Sequence, residues 1–278
     1  MTFRRMVEAV SFSGTGLHTG VPATVRVLPG EVGQGVLLRT GGGEAPLSSC
    51  GLSGTGRGTE VLLPGGGSLR TTEHLFAALA GLGIYSATVE LDGPEVPCLD
   101  GCSAAFARGL AAASRPAGAD EMPKGVDLAV PVAVEDETRG AVVAAFPCPE
   151  LWITYVIRYE ERPIGTQMAD FRPARDDFLG ELAPARTFAL ASEMDDLRAR
   201  GLALGGSLEN ALLVGTEDVQ ALGGLRFPDE FVRHKILDLL GDLYLLGAPL
   251  RGRIAALRSG HTLHCRLVEK LKRAAGTL

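Results

Sequence analysis

Phe231-Val232-Arg233-His234-Lys235-Ile236-Leu237-Asp238-Leu239-Leu240-Gly241-Asp242 is the stretch around which the rest of the chain can be organised. It reads as a helix. His234, Asp238 and Asp242 follow one another at intervals of four, and residues four apart stand one above the other on a helix surface. Ile236, Leu237, Leu239, Leu240 and then Leu243 are apolar, so the helix is expected to be largely buried. A buried Asp costs free energy unless it is paired or bound to a metal. A neutral imidazole nitrogen and a carboxylate presented together can ligate one divalent ion. On spacing alone, His234, Asp238 and Asp242 are equivalent ligand candidates.

Outward from that helix, which should run over about 228–246, the chain reads as strands interrupted by a few helices. Ala23–Val27 and Ser86–Leu91 alternate as strands do, and Thr72–Gly81 carries a Thr at its start and Gly at its end, as a short helix does. A turn is expected at Pro64–Gly67, and a second helix over Ser103–Ala113. Residues 114–124 hold two Pro and no apolar periodicity, which marks a boundary between a unit at 1–118 and one at 124–278. Beyond it, strands are expected around Val126–Val134, Gly140–Phe146, Leu151–Tyr159 and Gly252–Leu257, with a helical stretch near Glu193–Gly201. Strands and helices do not alternate regularly, so α+β layers are expected rather than a doubly wound parallel sheet. No clear sequence repeat is visible.

The chain has 278 residues, 46% of them hydrophobic and 22% charged, as in a globular protein of one large or two ordinary domains. The formal net charge of -6 argues against non-specific nucleic-acid binding, which needs a basic stripe to neutralise phosphates. Arg251, Arg253, Arg258 and Arg266 are local basic spots that could meet an anionic substrate or face solvent. Five irregularly spaced Cys favour a reducing compartment over a disulfide framework. The N-terminus lacks a signal-peptide apolar core, and no apolar run approaches the roughly 20 residues that span a bilayer. A cytoplasmic protein is expected. No large apolar helix face is left over, so a monomer is expected too.

A catalytic metal site commonly has three protein ligands and an open position. Besides His234 the chain offers His18, His74, His261 and His264. Glu73-His74 pairs a possible ligand with a carboxylate able to take a proton from a metal-activated water. A Glu at a helix start is equally what the helix dipole favours. His261, in Arg258-Ser259-Gly260-His261, is expected on a Gly-flanked loop. There it is either a surface residue or a general acid held cationic by a carboxylate such as Asp242. The Ser11–Gly20 run looks like a phosphate-cradling loop but lacks the Gly-Lys-Ser/Thr ending, so a flexible turn is the plainer reading. Thr187, in Pro184-Ala185-Arg186-Thr187-Phe188, could donate to a developing oxyanion.

Five blocks, in order, resemble one family. They are Gly14–Gly20; Thr72-Glu73-His74-Leu75 with Ala77–Ile84; Ala185-Arg186-Thr187-Phe188; Gly205-Gly206-Ser207-Leu208; and Leu225-Arg226-Phe227 with Asp229–Lys235, Leu237 and Asp238. Ser259-Gly260-His261 completes the set. Together they are similar to UDP-3-O-acyl-N-acetylglucosamine deacetylase, the zinc enzyme of lipid A biosynthesis in Gram-negative bacteria. The resemblance implies two similar domains, each a strand layer on helices, with the site between them. It implies a metal, zinc or alternatively ferrous iron, held by His74, His234 and Asp238. It implies Glu73 as general base, His261 as cationic acid or oxyanion partner with Asp242 behind it, and Thr187 as oxyanion donor, with Lys235 beside the substrate's charged part. Leu17, His18, Phe188, Leu190, Leu202 and Gly206 would join Lys235 in contacting UDP-3-O-acyl-N-acetylglucosamine. An insert near 188–213, with apolar Phe188, Leu190, Leu197, Leu202, Ala203 and Leu204, would form a passage for the acyl chain.

The chain departs from the family's usual pattern at Tyr85-Ser86, at Cys102 in Leu99-Asp100-Gly101-Cys102, and over Tyr159–Gln167. Those departures concern the sugar- and uridine-contacting parts rather than the metal ligands. Two other readings stand beside the resemblance: a metal hydrolase acting on a different amide or ester, and a non-enzymatic protein that uses the groove for a lipid-like ligand. A structural zinc site would close with four Cys or His, and the Cys residues do not cluster near the candidate His.

Overall fold

Two sheets with the same plan organise the computed structural model, which describes residues 2–55 and 57–274. Residue 1 and residues 275–278, the outer ends of the two expected spans, lie outside the described residues. The first sheet contains β1 (Val10–Thr15), β2 (Pro22–Pro29), β3 (Val36–Thr40), β4 (Gly43–Pro46) and β5 (Ala87–Asp92), in the spatial order β1-β2-β5-β3-β4. The second contains β6 (Val132–Asp136), β7 (Ala141–Phe146), β8 (Trp152–Tyr159), β9 (Gly165–Phe171) and β10 (Arg253–Leu257), in the order β6-β7-β10-β8-β9. In each sheet the last strand in sequence occupies the centre, antiparallel to the second and parallel to the third. A parallel neighbour needs a crossover connection, and each crossover delivers a helix just before the central strand. These are α1 (Glu73–Gly81) and α3 (Glu230–Leu243). A helix also follows each central strand: α2 (Ala104–Ala112) and α4 (His261–Ala274). The two expected similar α+β units are therefore present as a repeated topology, although no repeat is visible in the sequence.

Alternation orients the strands. Ala23, Val25 and Val27 of β2, and Val143 and Ala145 of β7, are buried while their neighbours are not, as period two requires. Aromatic packing ties sheet to helix, as where Phe12 meets Phe106 of α2 edge-on at 4.9 Å. Helices α1 and α3 pack directly on one another. Gly241 explains how closely: a Cβ there would overlap the backbone carbonyl of Glu73. A mid-helix Gly costs about 1 kcal/mol relative to Ala, and here it lets α3 cross the start of α1.

Several expectations shift. His261 is the first residue of α4 and is buried, not a mobile loop residue. Its imidazole is held by a helix, because Gly260 ends the loop one residue earlier than the composition suggests. Gly14 and Thr15 belong to strand β1, which leaves only residues 16–20 of the Gly-rich run as a turn. The stretch expected as one strand over 126–134 is two, Val126–Asp127 and β6, with Pro131 breaking the ladder for want of an N–H. Within the expected boundary, Ser114–Pro116 pairs antiparallel with Arg4–Met6.

Candidate active site

Because α1 and α3 cross at Gly241, His74 from the first half reaches the row on α3. His74 Nε2 lies 3.7 Å from Asp238 Oδ1, and His234 Nε2 lies 3.3 Å from the same oxygen. The donor atoms of His74, His234 and Asp238 are all within 4.8 Å of one another, and all three residues are buried. Two donors about 2.0–2.1 Å from a tetrahedral ion stand about 3.4 Å apart, so the set fits a single small divalent ion. His234 donates its Nδ1–H to the Ala185 carbonyl at 3.0 Å, which leaves Nε2 as the lone-pair donor. Burial, with the neighbouring His234, pushes His74 down to about 3, so it is neutral, as a ligand must be. Burial works against the charged form of Asp238, but His234, Lys235 and His261 outweigh it and hold the carboxyl far below its usual range.

Lys235 Nζ donates to Asp238 Oδ2 at 2.6 Å. Burial opposes its charge, but Asp238 and the nearby tyrosines overcome that, and its pKa rises above the ordinary lysine value. The resemblance puts Lys235 beside the substrate's charge; in the structure its cation grips a candidate metal ligand from the side, with part of the side chain still exposed.

Glu73 sits at the head of α1, where Oε2 accepts the Thr59 N–H at 3.1 Å. Burial, against the pull of His261, pushes its carboxyl up to about 7. His261 Nε2 faces it at 3.8 Å and faces Asp238 Oδ2 at 3.7 Å. Behind His261, Nδ1 lies 2.8 Å from Asp242 Oδ2. Burial disfavours the imidazolium, yet Asp242 and Glu73 outweigh it and push His261 up to about 9. The Thr59 hydroxyl donates to Asp242 Oδ1 at 2.6 Å. Asp242, one of three equivalent candidates on spacing, thus lies with His261 and not with His74, the place the resemblance implies for it. The reason is the helix twist: eight residues on from His234, Asp242 reaches the start of α4 instead.

Thr187 and Phe188 line an apolar cavity of about 220 Å³ that also takes in Leu17, His18, Leu197, Ala203 and Gly206. Phe188 packs edge-on against Phe231, 5.1 Å between centroids, and lies 6.4 Å from the His234 ring, so the cavity abuts the donor cluster. Backbone bonds from Leu204 N to His18 O and from Gly205 N to Leu17 O join the first half to the insert beside it. Leu190 and Leu202 are outside this lining; Leu202 lines a second hollow with Arg57, Thr59 and Glu95. Leu204 is exposed. Of the basic spots, Arg251 pairs with Asp127 and Arg253 stacks over Trp152.

Three contributors are given no role by the sequence. Arg186 and Glu230 form a buried, two-pronged ion pair, 2.8 and 3.1 Å, and Glu230 also accepts the backbone N–H groups of Arg186 and Arg226. That knot fixes the segment that presents Thr187. His264 lies three residues after His261 on α4 and donates to the same Asp242 oxygen at 2.7 Å; a helix reading of 261–274 would have put the two on one face. The Asp242–His261–His264 group is hydrogen-bonded, not spaced for an ion.

Buried His/His/Asp donors, a carboxylate beside them and a cationic imidazole opposite are the parts that metal-assisted hydrolases use. A family model described as UDP-3-O-acyl N-acetylglycosamine deacetylase matches residues 4–273. The chain is 40% identical over 272 residues to the UDP-3-O-acyl-N-acetylglucosamine deacetylase of Chlamydia felis (strain Fe/C-56), with 96% of each covered. To the protein of that name from Phenylobacterium zucineum (strain HLK1) it is 39% identical over 276 residues, covering 97% of this chain and 93% of the relative. To that from Myxococcus xanthus (strain DK1622) it is 39% identical over 274 residues, covering 96% and 85%. The chain belongs to the UDP-3-O-acyl N-acetylglycosamine deacetylase family.

Proposed function

We propose that this chain hydrolyses the N-acetyl group of UDP-3-O-acyl-N-acetylglucosamine, releasing acetate and the free amine, an early committed step of lipid A biosynthesis. The observation that carries the reading is the buried His74–His234–Asp238 donor set with Glu73 and His261 on either side and an apolar cavity against it. His74, His234 and Asp238 would hold zinc, or ferrous iron, since both accept imidazole and carboxylate ligands. When bound, such an ion polarises a carbonyl and brings a water's pKa to about 7.

The chain's own groups do the rest. Glu73, unprotonated above about pH 7, takes a proton from the attacking water as the new C–O bond forms. The Thr187 hydroxyl and the His261 imidazolium stabilise the charge that develops on the acetyl oxygen. His261 then gives its Nε2 proton to the leaving nitrogen as the C–N bond breaks. Lys235 holds the Asp238 carboxylate still. The cavity lined by Leu17, His18, Thr187, Phe188 and Gly206 takes the acyl chain. The division between the two units falls after the Ser114–Pro116 strand, within 117–124. Among the described residues no helix is long and apolar enough to cross a membrane; the five cysteines are free, as a reducing compartment leaves them, and action from the water side as a cytoplasmic monomer is part of the same proposal.

The test is acetate release from the acylated nucleotide sugar, with and without chelator, alongside metal analysis. Release that stops with chelator and returns with zinc is expected. Equal release with chelator, or equal turnover of a non-nucleotide N-acetyl sugar, sinks the reading.

A further inference from the structure

Asp242 is completely buried and accepts three hydrogen bonds, from the Thr59 hydroxyl on Oδ1 and from two imidazoles on Oδ2. Only one of those imidazoles, His261, faces the site. The other, His264, is completely buried, and its Nε2 points away, to Ser259 Oγ at 2.9 Å. Ser259 Oγ is in turn 3.0 Å from the Tyr155 hydroxyl, which donates to the Ser259 carbonyl at 2.7 Å. The His264 ring is thus held at both nitrogens, between a strand (Tyr155 on β8) and the loop before α4. The 2.7 and 2.8 Å contacts at Asp242 Oδ2 are hydrogen-bond lengths; donors around one ion would stand about 3.4 Å apart.

We infer that His264 is a positioning residue that acts through Asp242 on His261. Oδ2 has lone pairs for two donors, and the two N–H bonds approach it from different rings, so together they fix the carboxylate plane. With His264 lost, the plane is held by Thr59 and His261 alone. It can then turn and carry the His261 ring away from its 3.8 Å approach to Glu73. Partners that orient an active-site His from behind are worth about 10–100-fold when removed. His264 touches neither the cleft nor the proposed ligands, so its loss should reach the chemistry only through that geometry.

The inference rests on the proposed deacetylation, and two substitutions test it. In His264→Asn the side-chain amide offers an N–H close to where Nδ1 stands; His264→Leu keeps bulk and removes the donor. Relative to wild type, H264L should lose about 10–100-fold in kcat, with KM and zinc content unchanged, while H264N stays within about threefold. A second readout needs no activity. In histidine-labelled protein, the hydrogen-bonded Nδ1–H proton of His261 should resonate at the same low field in wild type and H264N, and shift in H264L. Equal kcat in H264L and H264N, or an unmoved His261 resonance in H264L, overturns the inference. If H264L does not fold, Ser259→Ala replaces it: the His261 resonance should move, and an unmoved one overturns the inference. Wild-type protein without deacetylase activity would refute the functional reading while leaving the resonance test of His264 intact.

Discussion

Glu73 is asked to be buried and to be a base. Burial raises its carboxyl to about 7, close to where a general base works best. His261 sits on the other side of neutrality, pushed up to about 9 by Asp242 and Glu73 against its burial. The sign of the pH dependence follows. Below about 7 Glu73 is protonated and cannot accept a proton; above about 9 His261 is neutral and has none to give. Turnover should therefore rise through about pH 7, hold, and fall through about 9. In the metal-loaded enzyme the acid limb should lie at or below 7, because a nearby dication favours the carboxylate. A rate that stays flat from pH 5 to 10 would remove both assignments. Glu73→Gln keeps an acceptor for the Thr59 N–H and should lower kcat by about 10²–10⁴ with metal content intact; loss of metal as well would make Glu73 a ligand. Thr187→Ala should cost about 10²–10³ in kcat if its hydroxyl serves the oxyanion, and wild-type turnover would remove it from the mechanism. These residues could be picked out in the sequence by type and neighbour. Spacing does not divide their labour, since on α3 His234, Asp238 and Asp242 have identical spacing and different partners; the resemblance is what sets Asp242 apart from the ligands.

At the scale of elements, the site depends on how closely α1 and α3 approach. Gly241→Ala would put a methyl against the Glu73 carbonyl and should destabilise the protein by about 1–3 kcal/mol through overpacking. It should also weaken metal retention more than an equally destabilising substitution on α3 away from His234 and Asp238, since it separates His74 from Asp238. Denaturant unfolding together with metal content checks this, and unchanged values for both would mean that the helices have slack. Helices α1 and α3 were legible from their apolar positions. The start of α4 was not, because Ser259-Gly260 reads as loop and a helix that begins on a buried His has no polar cap to announce it. Missing that boundary hid His264, which shares a face with His261 only if both are helical.

Across the whole molecule, the cavity is built from both units, with Leu17 and His18 from the turn after β1 and Phe188, Met194, Leu197 and Ala203 from the insert. Each methylene it buries is worth about 0.8 kcal/mol, or about fourfold in kcat/KM per added carbon. Met194→Asp, at a half-buried position in the lining, should flatten that dependence on acyl length and leave kcat for a short-chain substrate unchanged. An unaltered slope would mean that the chain binds elsewhere. By itself the sequence determined the α+β layering, the buried helix with its metal-type row, Glu73-His74, and a resemblance covering most of the chain, because these are short-range patterns of residue type. The resemblance adds two similar domains and Asp242 behind His261; only the tertiary structure decided that each sheet sets its last strand at the centre, that His264 shares the Asp242 oxygen with His261, that Lys235 grips Asp238, and that Leu190 and Leu202 lie off the cavity. Each of those depends on which surfaces meet across distant parts of the chain, and side-chain spacing along one element carries no information about its partner.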